Sequence, residues 1–123
     1  LVAGRIAAYL SGEDVRFSPD DVLFEACSPF QREVLHACHR IPRGRVSSYR
    51  RIAERCGHRN GARAAGTALA ANPFPIVIPC HRVIRSDGSL GGFGGGLRMK
   101  RALLAMEGIA VDASGRVRIE RFV

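Results

Sequence analysis

Apolar positions recur along this chain at helical spacing for most of its length and collect into short extended runs only late. "LVAGRIAAYLSG" sets Leu1, Val2, Ile6, Tyr9 and Leu10 on one short face closed by Gly12, and a polar, Asp-rich connector follows to about Cys27. In "SPFQREVLHACHRIPRG", Ser28 is an N-cap, Pro29 the first helical residue and Gln31 the partner in a capping box. Phe30, Val34, Cys38 and Ile41 form the buried stripe of that helix, which Pro42 and Gly44 end. "SSYRRIAERCG" reads as the next helix, capped by Ser47, with Tyr49, Ile52, Ala53 and Cys56 on one face and Gly57 as its left-handed exit. "NGARAAGTALAANP" follows almost at once, capped by Asn60, built of small residues and ended by Pro73.

Two short helices joined by a brief Gly-containing turn match the helix-turn-helix pattern, whose second helix reads DNA, although an ordinary helical hairpin has the same signature. After Pro75 the pattern turns to strand, "IVI" and then "HRVI", with "SDG" as a turn. "LRMKRALLAMEG" is a further helix with Met99, Ala102, Leu103 and Met106 inward, and "IAVDASGRVRIERFV" reads as a hairpin about "DASG" with Val117 and Ile119 on one face.

Composition narrows the field of function. A chain of 123 residues that is 46% hydrophobic can build one core. Its 19 Lys and Arg against 11 Asp and Glu leave a net charge of +8, which favours polyanionic partners such as DNA or RNA. No apolar run is long enough to span a bilayer and no signal-peptide pattern opens the chain, so an intracellular protein, cytoplasmic or nuclear, is expected. The start at Leu1 reads as a fragment or a processed product. Cys27, Cys38, Cys56 and Cys80 have no regular spacing and read as thiols rather than a disulfide framework.

The chemistry concentrates in "IPCHRVIRSDGSLGGFGGGL". A thiol needs a base, a cation or a helix N-terminus to become a nucleophile, and His81 adjoins Cys80. Neighbours on an extended strand point to opposite faces, so the two cooperate only through a turn after Pro79 or a bridging water. Glu107 is the candidate for orienting the imidazole. The competing readings are a buried structural cysteine and a zinc site from His36, Cys38 and His39, which lacks the usual ligand spacing; no metal is expected. "GGFGGG" has no Lys-Ser/Thr after it and is read as a slot lined by backbone amides rather than a phosphate loop.

"IPCHRVI", with "FQREVL", "IPRGRVSSY", "RAAG", "NPFPI", "GGL" and "LLAMEG" in this order, resembles the O6-alkylguanine-DNA alkyltransferases, the methylated-DNA–protein-cysteine methyltransferases, from about Ser28 to Gly108. The resemblance implies a fold that is mainly α with short β strands, a winged-helix-like helix-turn-helix DNA-binding domain carrying the active-site cysteine. It divides the chain into 1–27, the last helix of an amino-terminal domain and a linker; 28–111, the DNA-binding and catalytic domain; and 112–123, an extension with a possible hairpin strand. It implies single-turnover transfer of the alkyl group from O6-alkylguanine, and from O4-alkylthymine, in double-stranded DNA to Cys80, with no cofactor, by a monomer.

Carried over by residue, Cys80 is the acceptor, His81 its base through water, Glu107 the orienting carboxylate, Asn72 the hinge asparagine and Tyr49 the hydroxyl that assists the leaving guanine. Arg63 takes the place of the extruded base, and Tyr49, Ala62, Ala65 and Gly66 join it among the DNA-binding residues. Pro75, the Val83 carbonyl, Gly91, Phe93 and Gly94 form the pocket, with Gly91 and its neighbours leaving room beside Cys80. Three positions depart from the commoner pattern: Arg50 for glycine, Phe93 for tyrosine and Leu35 for tryptophan. The alternative is a binding-only module, an alkyltransferase-like lesion-recognition protein or a plain helix-turn-helix domain. Cys80 discriminates, because the alkyltransferase-like proteins lack it.

Overall fold

A computed structural model of the chain describes residues 2–15, 27–72, 76, 78–94 and 96–123. Pro73 and Pro75, read above as a helix terminator and a pocket wall, lie outside the described residues. The chain opens with α1 (Val2–Leu10), which Gly12 closes at φ +98°, and resumes with α2 (Pro29–His39). Ser28 caps α2 through Gln31 N–H at 3.2 Å. The capping box is only half made, since the Gln31 side chain instead donates to the carbonyls of Ala68 and Ala71 at 3.3 and 3.2 Å.

Strand β1 (Ser47–Ser48) leads straight into α3 (Tyr49–Arg55), and α4 (Ala62–Ala70) follows. The cap of α3 is Ser48, one residue later than expected: its Oγ accepts from Arg51 N–H at 3.0 Å, while Ser47 Oγ donates to the Val123 carbonyl. The cap of α4 is Gly61 rather than Asn60, with no side-chain hydrogen bond. The chain then crosses to a short 3₁₀ turn, Cys80–Arg82, and to β2 (Val83–Ile84), which pairs in parallel with β1, Ser47 opposite Val83 and Ser48 opposite Ile84. The expected strand "HRVI" is therefore strand only in its second half.

The last long helix is α5 (Leu97–Met106). Its inward stripe is Lys100, Leu103, Leu104 and Glu107, turned from the expected one: Met99 is 41% exposed and Ala102 exposed. The stripe through Lys100 matches the helical period as well, and packing selected it. "DASG" does turn, with Asp112 N–H bonded to the Arg116 carbonyl, but Arg116 then makes an isolated antiparallel bridge to Ser89 in place of a hairpin strand. Ile119, expected beside Val117, is 80% exposed in a 3₁₀ turn.

Two apolar clusters flank the small sheet. The larger joins Val34, Leu35 and Cys38 of α2 to Ile52 and Ala53 of α3, Ala65 and Leu69 of α4, and Ile78 and Val83. The smaller joins Val46, Ile84, Leu104, Ile109 and Val117. The sheet thus pins the Cys80 turn against both. Among the described residues no helix is long and apolar enough to cross a membrane.

The turn between α3 and α4 leaves no room for a side chain at Gly61, where a Cβ would lie 2.8 Å from His58 Cβ and 3.3 Å from Ala53 Cβ. Gly61→Ala is expected to destabilise the fold by about 1–3 kcal/mol, the usual range for overpacking. Urea unfolding should show a lower midpoint at unchanged slope.

Candidate active site

The 3₁₀ turn resolves how adjacent residues can work together. Pro79 leaves the extended path at ψ 63°, and the chain coils so that Cys80 is half-buried at the floor of a cleft while His81 and Arg82 turn inward. The cleft holds about 780 Å³, within the range of ligand pockets, and its walls include Tyr49 from α3, Arg63 and Gly66 from α4, Cys80, and the loop residues Gly91 and Phe93.

Behind the cysteine lies a buried ionic cluster. His81 Nε2 stands 2.9 Å from Glu107 Oε2, and both side chains are fully buried. Arg82 grips the same carboxylate with both ends of its fork, Nε to Oε1 and Nη2 to Oε2, each at 2.8 Å. Burial alone would raise the Glu107 pKa, but donation from His81 and Arg82 outweighs it and holds the carboxyl well below its ordinary range. Burial pushes His81 down against the opposing pull of Glu107, so the imidazole is neutral near pH 7. With Nε2 facing a carboxylate, its proton belongs on Nε2. Nδ1 is buried and without a hydrogen-bond partner among the described residues, and it is the nitrogen open to a proton.

Burial raises the Cys80 thiol, against a hydrogen bond from the Asn72 side chain and the field of Lys100. At rest it is a protonated thiol that needs a base. Asn72 also donates to the Ile78 carbonyl at 3.2 Å, tying the exit of α4 to the approach to Cys80.

Three residues of this region carried no assigned role in the sequence reading. Lys100 is fully buried, and its ammonium collects the carbonyls of Val83, Leu90 and Gly92 at 2.7, 2.5 and 3.1 Å, with the Tyr49 hydroxyl at 3.4 Å. Burial brings its pKa down to about 8. Its position in register with Leu103 and Leu104 was the available signal. In the sequence Arg82 is a plain basic residue of the motif, and Tyr9 belongs to an apolar face with no partner for its hydroxyl. That hydroxyl donates to Glu107 Oε2 at 2.5 Å and lies 3.2 Å from His81 Nε2.

The structure brings Cys80, Tyr49, Ala62, Arg63, Gly66, Gly91, Phe93 and Gly94 to one cleft, and sets His81 and Glu107 directly behind it. Two residues differ from expectation. Ala65 is fully buried in the core between the helices and does not line the cleft, so its side chain is core packing rather than a surface offered to DNA. Gly91 does not simply leave space: at φ +70°, a Cβ there would come within 2.9 Å of the Tyr49 ring and hydroxyl. Its small size lets the loop pack on Tyr49. The Val83 side chain is core, and its carbonyl is taken by Lys100. Of the departures, Leu35 fills the core and exposed Arg50 pairs with Glu54 at 3.1 Å along α3.

Glu107→Gln removes the charge that neutralises buried Arg82, and a stability loss of about 3–5 kcal/mol is expected at pH 7. Because the folded carboxyl is held below its unfolded value, its contribution is complete above roughly pH 4.3 and is lost as pH falls through and below that value. Unfolding measured against pH should therefore show the two proteins converging in acid.

Residues 29–109 match the family model described as 6-O-methylguanine DNA methyltransferase, DNA binding domain. A methylated-DNA–protein-cysteine methyltransferase of Methanothermobacter thermautotrophicus is 46% identical over 107 residues, covering 87% of this chain and 60% of that protein. A Mycolicibacterium paratuberculosis protein of the same name is 48% identical over 103 residues, 84% of this chain and 61% of its own. The chain thus spans about three fifths of the length of these relatives. Mycobacterium tuberculosis OGT, solved in complex with DNA, superposes with a TM-score of 0.80 at 41% identity, over 87% of this chain and 64% of that one. Atl1 of S. pombe, solved with damaged DNA containing O6-carboxymethylguanine, gives a TM-score of 0.65 at 30% identity, over 76% of this chain and 94% of that one.

Proposed function

This chain belongs to the 6-O-methylguanine DNA methyltransferase family through the domain matched over residues 29–109, and on that premise we propose that it repairs DNA by moving the alkyl group of O6-alkylguanine irreversibly onto Cys80. The observation that carries this reading is the pairing of one thiol on the cleft floor with a neutral imidazole whose Nδ1 is open.

In the proposed step the thiol gives its proton to His81 Nδ1, directly or across one water, and the sulfur attacks the alkyl carbon in line. The sulfur–carbon bond forms as the carbon–O6 bond breaks, and the electron pair leaves with guanine, which takes up one proton while the imidazolium gives its own up, so that the net exchange is of the alkyl group for the thiol proton. Glu107 offsets the imidazolium charge within the buried cluster. The Tyr49 hydroxyl, which lies on the cleft wall and donates to the Gly92 carbonyl at 3.3 Å, turns its proton to the departing guanine. Burial keeps this phenol protonated.

The reactive atom of the base is hidden in a duplex, so the base must be swung out into the cleft. Exposed Arg63 stands at the cleft edge on α4, where it can fill the vacated stack, and the net charge of +8 supplies phosphate affinity. Gly66 brings the α4 backbone close to its partner. A thioether is not displaced again under mild conditions, so each molecule acts once.

Incubation with an oligonucleotide containing O6-methylguanine should add the mass of one methyl group, mapped to Cys80, and no more with time. Cys80→Ala should still bind the DNA and gain nothing. Methylation of Cys27, Cys38 or Cys56 instead rejects the mechanism, and lesion binding without any modification assigns the chain to the binding-only class.

Tyr49→Phe deletes one donor at nearly constant volume. Transition-state donors are worth roughly 3 kcal/mol where charge is localised, and guanine spreads its charge, so a fall in transfer rate of about 10- to 100-fold is expected with DNA affinity nearly unchanged. Single-turnover kinetics and a binding titration separate the two.

A further inference from the structure

Tyr9 is 1% exposed, comes from α1, and lies outside the matched domain of residues 29–109, yet its hydroxyl ends in the cluster behind Cys80. We propose that Tyr9 is a positioning residue for the transfer: by donating to the Glu107 oxygen that His81 also uses, it fixes the carboxylate and limits its pull on the imidazole, so that His81 stays neutral and Nδ1 stays open to the Cys80 proton. This rests on the transfer to Cys80 proposed above.

The geometry determines which way each proton points. Glu107 is ionised and takes Arg82 on both oxygens, and Oε2 also takes Tyr9 at 2.5 Å and His81 Nε2 at 2.9 Å. Burial first, and then the Glu107 contact, push the Tyr9 phenol above its ordinary pKa, so it holds its proton and acts as the donor. A hydroxyl proton directed at a carboxylate oxygen offsets part of the negative charge there. The same oxygen then stabilises an imidazolium less, and His81 is a weaker base than a Glu107–His81 pair alone would make it.

Other groups acting on His81 are Arg82 on its own turn and Lys100 on α5, and both cations also disfavour imidazolium. Arg43 faces Tyr9 from the segment after α2, its guanidinium 5.4 Å over the ring. It donates to the carbonyls of Glu13 and Met106 at 3.1 and 3.0 Å, which fastens the segment after α1 to the residue just before Glu107. Tyr9→Phe leaves all of these in place and removes one hydroxyl.

The test follows His81 by NMR through its ring signals as pH is varied, alongside the pH dependence of methyl transfer from an O6-methylguanine oligonucleotide. In Tyr9→Phe the His81 midpoint should rise by about one pH unit, a hydrogen bond to a charged group being worth about that much. The acid limb of the transfer rate should move up by the same amount. Ile6→Ala, which loosens the same helix without touching the hydroxyl, should shift neither. Replacing Tyr9 by 3-fluorotyrosine, which keeps the shape and strengthens the donor, should move the midpoint the other way, and it serves if Tyr9→Phe does not fold. An unmoved His81 midpoint in a folded variant, or equal shifts in Tyr9→Phe and Ile6→Ala, overturns the proposal. Because the NMR midpoint does not depend on transfer, a wild-type protein that leaves Cys80 unmodified defeats the functional reading and leaves this measurement decisive on its own.

Discussion

The carboxylate of Glu107 is the constraint around which the rest of the site is arranged. A buried charge of this kind is tolerated only if its lone pairs are satisfied, and here Arg82, His81 and Tyr9 supply four donor contacts. Those donors come from two places far apart in sequence, α1 and the 3₁₀ turn, and the carboxylate they meet comes from a third, the end of α5. Satisfying one carboxylate therefore fixes three elements relative to one another. The turn has little freedom left: Arg82 Nη1 is also held by the Ile41 carbonyl at 2.7 Å, and Val83 and Ile84 are committed to the sheet. Cys80, first residue of the turn, inherits that rigidity.

Lys100 does for the opposite wall what Glu107 does for the floor. Its ammonium is buried without a carboxylate partner among the described contacts and is solvated by three backbone carbonyls, two from the loop through the glycine run. A loop so rich in glycine pays a large entropy cost to be ordered, and a central cation that gathers its carbonyls is a direct way to order it. The same cation sits 5.6 Å from the centre of the Tyr49 ring, and Gly91 packs on that ring's other atoms. Tyr49, Lys100 and the loop are thus one packing unit, which places a hydroxyl and a set of backbone groups on one side of the cleft.

This division of labour explains what was legible in the sequence. Local signals were reliable where the physics is local: Ser28 and Pro29 begin a helix, Gly57 ends one, and the stripe of Val34 and Cys38 is buried as its period requires. They failed by one residue at Ser47 against Ser48 and at Asn60 against Gly61, where two adjacent residues both suit a cap and tertiary packing chooses. The stripe on α5 was misread because a lysine and a glutamate occupy inward positions, and hydrophobic pattern alone assigns such residues to the surface. Ala65 was misplaced for the converse reason, since a helix made of small residues gives no contrast between its faces. Cys80, His81 and Glu107 stood out as a thiol, an adjacent base and a candidate orienting carboxylate, and the resemblance then gave each a role. Tyr9 could not, because its partners lie 72 and 98 residues away and its ring looks like any other apolar contact.

The electrostatics of the cleft bear on how Cys80, the single-use nucleophile of the proposed transfer, is kept intact until it is needed. Burial holds Cys80 in its thiol form, and a thiol is slow to react with oxidants or stray electrophiles. The same burial makes the thiolate, once formed, more nucleophilic, because sulfur nucleophilicity rises with the pKa of the conjugate thiol. A cysteine with a strongly lowered pKa would be ionised at rest and exposed to side reactions that cannot be reversed by turnover. In the proposed transfer the proton leaves only toward His81, whose own basicity is limited by its buried surroundings, so thiolate and imidazolium arise together and only fleetingly. Reactivity is then set by the substrate lying in line with the sulfur rather than by a standing population of thiolate. In the proposed single transfer to Cys80, a neutral His81 behind a neutral Cys80 is the arrangement that restricts the reaction to a base held in the cleft.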